Sequence, residues 1–272
     1  FNQTTLIECK YNIEYRSLGF KTVYKSKEIK PVAEPNINLS LMHNPFALAE
    51  VTISTKEDPA YTLMLNVIER APVYAGSVEE YTADLYIKAN AELLKVSSLI
   101  DKLAKMEEGI KLSEFKGETF VQESFSEIHF TAPDKYKQTV KAFSSSIPDN
   151  LNSEDAFGVI HSSLYMPVFG GHISPLNPKA FSYYRFRYEG FAEEDGISVN
   201  KIKIIPKLKD PQLISGYIYI AEDTWHIHSA KITINDYGAN QNYTVSYQQF
   251  APDIYLPLTY LLETDLSILG IS

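Results

Sequence analysis

Residues 181–234, FSYYRFRYEGFAEEDGISVNKIKIIPKLKDPQLISGYIYIAEDTWHIHSAKITI, decide the fold class. Successive side chains of a strand point to opposite faces, so Tyr184, Phe186 and Tyr188 share one side. Tyr183, Arg185, Arg187 and Glu189 share the other. EEDG at 193–196 is a hairpin signal, and Pro206 to Pro211 marks the next connection. SGYIYIAEDTWHIHSAKITI then reads as two strands around an acidic turn. Four strands joined by short turns make an antiparallel meander rather than a parallel sheet, which would need long crossovers.

The pattern extends in both directions. NYTVSYQQF and IYLPLTYLLETDLSIL continue the strands, and the last alternation meets no polar stop, so the natural chain is expected to run on. Upstream, residues 144–180 show no period and hold Pro148, Pro167, Gly170, Gly171, Pro175 and Pro178. So long an irregular stretch in a compact domain is expected to be functional or unstructured. ETFVQESFSEIHFTA and KYKQTVKAFSSS read as two strands separated by Pro133. SSLIDKLAKMEEG supports a short helix with Leu99, Leu103 and Met106 on one side and Gly109 as its stop. VEEYTADLYIKA alternates, with Tyr81, Ala83, Leu85, Ile87 and Ala89 on one face.

The clearest helix follows the charged junction STKEDPAY. Asp58 suits the N-cap and Pro59 the first helical position, where its missing N–H costs nothing. Ala60, Leu63, Met64, Val67, Ile68 and Ala71 then form one apolar face, expected to end near Pro72. Residues 5–53 read as short strands, including LIECKYNIEY and SLGFKTV, broken by Gly19, Pro31, Pro35 and Pro45. They are too few to close a sandwich alone.

The expected architecture is therefore α+β and mostly β. A long curved antiparallel sheet, a half-barrel, wraps around one or two helices over residues 55–272. A partial β-sandwich precedes it over residues 1–54. If the half-barrel keeps an open groove, Leu63, Met64, Val67, Tyr184, Phe186 and Tyr188 are its expected lining.

Composition narrows the function. Nineteen Tyr and 14 Phe against one Trp favour strands, where rings fit a pleated surface. A net charge of -9 argues against a nucleic-acid partner and disfavours anionic membrane surfaces. The single cysteine, Cys9, forms no internal disulfide. No apolar run is long enough for a transmembrane helix, and FNQTTLIECKYNIEY has neither the basic start nor the apolar core of a signal peptide.

Candidate chemistry is sparse. His226 and His228 are the best metal pair, two residues apart on a strand, yet they lack the further ligands a site requires. In strict alternation they join Ala230, Ile232 and Ile234 on the apolar side unless a bulge intervenes. Glu123, Ser124, Ser126 and Glu127 lack a nucleophile elbow and read as a strand with one solvated face. Arg185 and Arg187 are expected to pair with Glu189 and cross-strand acids rather than to bind an anion. Gly170-Gly171 lacks the spacing and Lys of a phosphate cradle. Asn2-Gln3-Thr4, Asn38-Leu39-Ser40 and Asn242-Tyr243-Thr244 match the short glycosylation pattern. No cofactor is expected.

SPLNPKAFSYYRFRYEGFAEEDGISVNKIKIIPK and SGYIYIAEDTWHIHSAKITI resemble a family of Bacteroidetes outer-membrane proteins of unknown function. EYRSLGFKT with INLSLMHNPFALAEVTIS looks like the tail of that family's carboxypeptidase-regulatory-like domain. EDPAYTLMLNVIERAP with YTADLYIKA is similar to its junction helix and first strand, and FVQESFSEIHFTAPDKYKQTV to its next pair. The resemblance implies a periplasmic region ahead of a membrane β-barrel, here without the first sandwich strands and the barrel. The architecture is also similar to the periplasmic lipoprotein-carrier fold, whose concave face takes acyl chains.

The expectation is thus a non-enzymatic portion at the periplasmic side of an outer membrane, providing a binding or assembly surface. Its expected partners are the barrel of the same full-length chain or other envelope proteins. One rival is a carrier holding a lipid or other apolar ligand; another is a metal-dependent enzyme using His226 and His228.

Overall fold

The computed structural model describes residues 9–15, 20–29, 39–42, 58–107, 109–147, 161–194, 196–236 and 239–268. The chain divides into two compact units, residues 1–49 and 50–272. In the first, β1 (Cys9–Tyr15) and β2 (Val23–Ile29) pair antiparallel, with Tyr15 opposite Val23. Lys10, Asn12 and Glu14 are exposed while Tyr11, Ile13 and Tyr15 are half-buried, the alternation expected of β1. The second strand lies later than SLGFKTV suggests, since its pairing with β1 begins at Val23 opposite Tyr15. The breaks expected at Gly19, Pro31, Pro35 and Pro45 fall outside the described residues.

The second unit is built on α1 (Ala60–Ala75). Its buried residues are Ala60, Met64, Val67, Ala71 and Tyr74, one stripe at helical spacing. The Asp58 carboxylate starts it by accepting the Ala60 amide at 2.9 Å, and it also accepts the Tyr188 amide at 3.1 Å. One side chain thereby caps the helix and pins it to the sheet. The helix does not stop at Pro72. Pro72 contributes no N–H, but its carbonyl accepts the Gly76 amide at 3.0 Å. Tertiary contact holds this last turn: Tyr74 is buried against Tyr165 and Tyr255, with centroids 5.2 and 5.4 Å away.

The remaining elements follow in order. β3 (Glu80–Val96) leads to α2 (Ser98–Glu107), and then β4 (Thr119–Thr131) and β5 (Lys135–Ser145). A small hairpin, β6 (Val168–Phe169) and β7 (His172–Ile173), precedes one turn of helix, α3 (Ala180–Tyr183). Then come β8 (Tyr184–Glu194), β9 (Ile197–Pro206), β10 (Ile214–Ala221), β11 (Ile227–Asp236), β12 (Ala239–Ala251) and β13 (Ile254–Ile268).

Nine strands form one open sheet in the order β5-β4-β3-β13-β12-β11-β10-β9-β8. The fold is mostly β, a large unclosed sheet around α1, as the sequence predicts. The sheet is mixed rather than wholly antiparallel, because β13 runs parallel to β3, with Leu261 opposite Lys88. Two antiparallel meanders, β3 to β5 and β8 to β13, are joined by that single parallel seam.

The concave face carries the core. Ile202, Ile204, Ile214, Ile218, Ile220, Ile227 and Ile232 are each at most 2% exposed and pack with the α1 stripe. Each such side chain contributes about 1.5–3 kcal/mol by leaving water. β10 and β11 approach closely at Gly216, φ +132°, where a Cβ would lie 2.2 Å from the Lys231 carbonyl oxygen. The expected apolar side of α2 does not join this core: Leu99, Leu103 and Met106 are exposed. The helix is held instead by Asp101, which accepts both the Ser113 amide and the Ser113 hydroxyl at 2.8 Å.

Candidate functional site

The groove expected between α1 and β8 is filled by the chain itself. Met64, Val67 and Tyr184 are fully buried, and Leu63, Phe186 and Tyr188 pack against the same core. The Tyr184 hydroxyl donates to the Ile173 carbonyl and accepts the Ile214 amide at 3.1 Å, so burial and these bonds lock the ring. Tyr188 donates to Asn200 Oδ1 at 3.1 Å. All six take part in the packing between α1 and the sheet.

Open volume lies at the other end of α1. A cleft of about 840 Å³ sits where the helix C-terminus meets β3, β4, β5, β12, β13 and the segment around residues 161–172. Its walls are unusually rich in phenol rings: Tyr74, Tyr81, Tyr136, Tyr165, Tyr255 and Tyr260 all face it. Strand alternation explains the contributions of β3 and β5. Tyr81 leads the concave face of β3, and Tyr136 lies opposite Phe130 on the neighbouring strand pair. Phe130 links them, with centroids 5.0 Å from Tyr81 and 4.9 Å from Tyr136.

Tyr165 comes from the stretch with no period. Leu164, Tyr165, Phe169 and Leu176 of that stretch are all buried, and Ile227 donates its amide to the Tyr165 hydroxyl at 2.8 Å. Ser174 ties the segment together, donating to the Leu164 carbonyl at 2.7 Å and accepting the Leu176 amide at 3.1 Å. Over the described residues 161–180 the irregular backbone is thus an anchored insert, with Ser174 meeting main-chain groups of Leu164 and Leu176.

The electrostatics of the cleft are those of a neutral surface. Burial raises the pKa of Tyr74, Tyr81 and Tyr136, and raises those of Tyr165 and Tyr260 strongly, so these phenols keep their protons. Burial pushes His161 down, favouring the uncharged ring, which stacks on Tyr136 with centroids 5.7 Å apart. Among the described lining residues Asp134 is the one carboxylate, and no Lys or Arg is present. Gly170 and Gly171, at φ +54° and +83°, form the hairpin turn between β6 and β7 at the cleft's edge. That is their structural use, since two consecutive positive φ values favour glycine.

Beside the cleft runs a polar chain. His161 Nε2 lies 2.9 Å from Gln138 Oε1, Gln138 donates to Ser126 Oγ at 2.9 Å, and Ser126 is 3.1 Å from Ser124 Oγ. An amide separates the imidazole from the hydroxyls, so His161 is not placed to take a serine proton. Glu123 and Glu127 occupy the opposite, solvated face of β4, paired with Lys88 at 3.1 Å and Lys141 at 3.0 Å.

A bulge separates the two candidate metal ligands. Tyr219 faces Ser229 but Ile220 faces Ile227, which leaves His228 as the extra residue. His226 is buried, stacked 3.8 Å from Tyr255 at 12°, with Nδ1 hydrogen-bonded to Thr224. Burial foremost, with His228 nearby, lowers its pKa to about 4. Among the described residues no group of three metal-ligating side chains forms. Arg187 and Glu189 do pair, with Nε and Nη2 at 2.8 and 2.6 Å from one carboxylate oxygen.

Periodicity could not reveal the cleft, because its residues come from one helix, several strands and the aperiodic segment. The available signals were the tyrosine count and the aromatic SSLYMPVFGG within the aperiodic stretch. In comparisons with known proteins, a family of unknown function, DUF5686, matches residues 63–272. Neither a curated protein nor a solved structure matches.

Proposed function

The chain belongs to the DUF5686 family of unknown function, and from that premise we propose that its second unit is a non-enzymatic binding module. One observation carries the reading: a cleft of about 840 Å³ walled by neutral phenols. That volume lies within the range of small-molecule sites. Ring faces offer apolar contact while hydroxyls offer hydrogen bonds, which suits an uncharged amphipathic ligand. A charged ligand would lose hydration with no Lys or Arg in the described lining to compensate it. The sequence resemblance supports a location at the periplasmic side of an outer membrane, with the family's barrel as the partner in the same full-length chain.

The test uses N-phenyl-1-naphthylamine, a neutral fluorescent probe. It is expected to bind with one-to-one stoichiometry. Ser163→Trp and Val78→Trp, each placing an indole in the cleft, are expected to weaken it at least tenfold while leaving the melting temperature within a few degrees. Equal binding by wild type and both folded variants would remove the cleft as the site.

A further inference from the structure

We propose that the convex face of β8–β11 is a docking surface for phosphate-bearing lipid headgroups, independent of the cleft. The net charge of -9 conceals this face. Strand register places Arg187 opposite Lys203, Lys203 opposite Tyr217, and Tyr217 opposite Lys231. Arg185 and Lys201 lie two residues along the same faces of β8 and β9. With strands about 4.8 Å apart, the row from Arg187 to Lys231 spans about 14 Å. Burial confirms the side, since Ile202 and Ile204 fill the core while Arg185, Arg187 and Lys231 are exposed.

The arrangement opposes its own stability. Like charges directly across a strand pair repel, and such pairs are normally avoided. Compensation within the fold is partial. Glu189 takes the Arg187 guanidinium. Asp58 also lies near Arg187 but is already bonded to two main-chain amides. Lys201 and Lys203 lean over the Tyr217 ring, with Nζ 4.4 and 5.7 Å from its centroid. Among the described residues Arg185 and Lys231 have no ion-pair partner. Cations held together with only this partial neutralisation are suited to an external anion.

The chemistry of the face selects its partner. Protein interfaces centre on buried aromatic and aliphatic anchors and are poor in lysine. Here the one aromatic of the row is capped by two lysines. The cations sit on a broad strand surface rather than a groove, which fits an extended sheet of phosphates better than a duplex. Screening makes the local field decisive: at physiological salt the Debye length is about 8 Å, so acidic residues elsewhere on the chain are felt weakly.

The experiment is sedimentation with vesicles of phosphatidylcholine alone or with 30% phosphatidylglycerol, at low and high sodium chloride. Wild type is expected to bind only the anionic vesicles, and to be released by salt. Arg185→Gln/Lys203→Gln/Lys231→Gln is expected to weaken partitioning on the order of 100-fold. Lys95→Gln/Lys135→Gln/Lys137→Gln, with the same net charge and the face intact, is expected to change it less than about fivefold. Both variants are checked by thermal melting, and wild type alone still decides the matter should one fail to fold. No binding of wild type to anionic vesicles overturns the proposal, as does equal loss in both variants. Release by inorganic phosphate beyond its ionic strength would reveal a single-anion site and overturn it. Tighter binding to duplex DNA than to vesicles would also overturn it.

Discussion

Acidification is expected to weaken the fold through His226. The folded ring has a pKa of about 4, against 6.5 for an unperturbed one, because burial against Tyr255 disfavours the cation. In the unfolded chain the same ring takes up its proton first. Between pH 6.5 and 4 the unfolded state therefore binds more protons, and stability falls as pH falls. The contribution is fully present above pH 6.5, declines through that window, and levels off below pH 4, where the folded ring is also protonated. Integrating the linkage relation gives a loss of about 1.8 kcal/mol between pH 7 and pH 5. Carboxylates titrate too, so the informative quantity is a difference. His226→Phe keeps a flat ring on Tyr255 and removes the titration. Urea unfolding at pH 7, 6 and 5 should show the stability gap between wild type and variant shifting by about 1.8 kcal/mol against wild type. Parallel pH profiles for the two proteins would refute the argument that burial of this ring governs the slope.

Four further outcomes follow from backbone conformation and side-chain contacts. Gly216→Ala forces a methyl to 2.2 Å from the Lys231 carbonyl, and neither backbone can yield; a loss on the order of 3 kcal/mol or more is expected in urea unfolding. Gly196→Ala separates strain from clash: at φ +80° with nothing within 4 Å of the new Cβ, about 1–2 kcal/mol is expected. Asp58→Ala removes the acceptor of the Ala60 and Tyr188 amides and should cost about 1–2 kcal/mol, with much of it recovered in Asp58→Asn. Tyr165→Phe leaves the buried Ile227 amide without its acceptor and should cost about 1–3 kcal/mol by thermal or urea unfolding.

Elements set by local pattern could be read from the chain, and elements set by distant pairing could not. α1 is legible because its apolar residues recur from Ala60 to Ala71, about three turns, and the point the pattern misses is Pro72, where contacts of Tyr74 extend the helix. The meander from Tyr184 to Ile234 was legible because period two and turn residues agree. The parallel seam between β3 and β13 was not, since nothing in either strand's own sequence names a partner so far along the chain. Met64, Val67 and Tyr184 read from the sequence as the lining of a groove, and the structure buries all three; whether inward-facing residues border space or one another depends on what else fills the concavity. Leu164, Tyr165, Phe169 and Leu176 fill it from a segment without period, and so move the opening to the far end of the helix. The basic face was hidden for a related reason. Arg187, Lys203 and Lys231 are far apart in sequence, and only register brings them into one row.

The seam between β3 and β13 also dictates an order of events when the molecule forms. A chain made from its N-terminus holds two partial sheets, each with a bare edge at β3 or β12, until residues 254–268 have been added. Unpaired edges invite pairing with other chains, and contacts this distant close slowly. Synthesis and any passage of the chain between compartments thus expose the two halves before the strand that unites them exists. Holding factors that shield strand edges during that interval would raise the yield of correctly joined molecules, far more than for a fold sealed by its first hairpins.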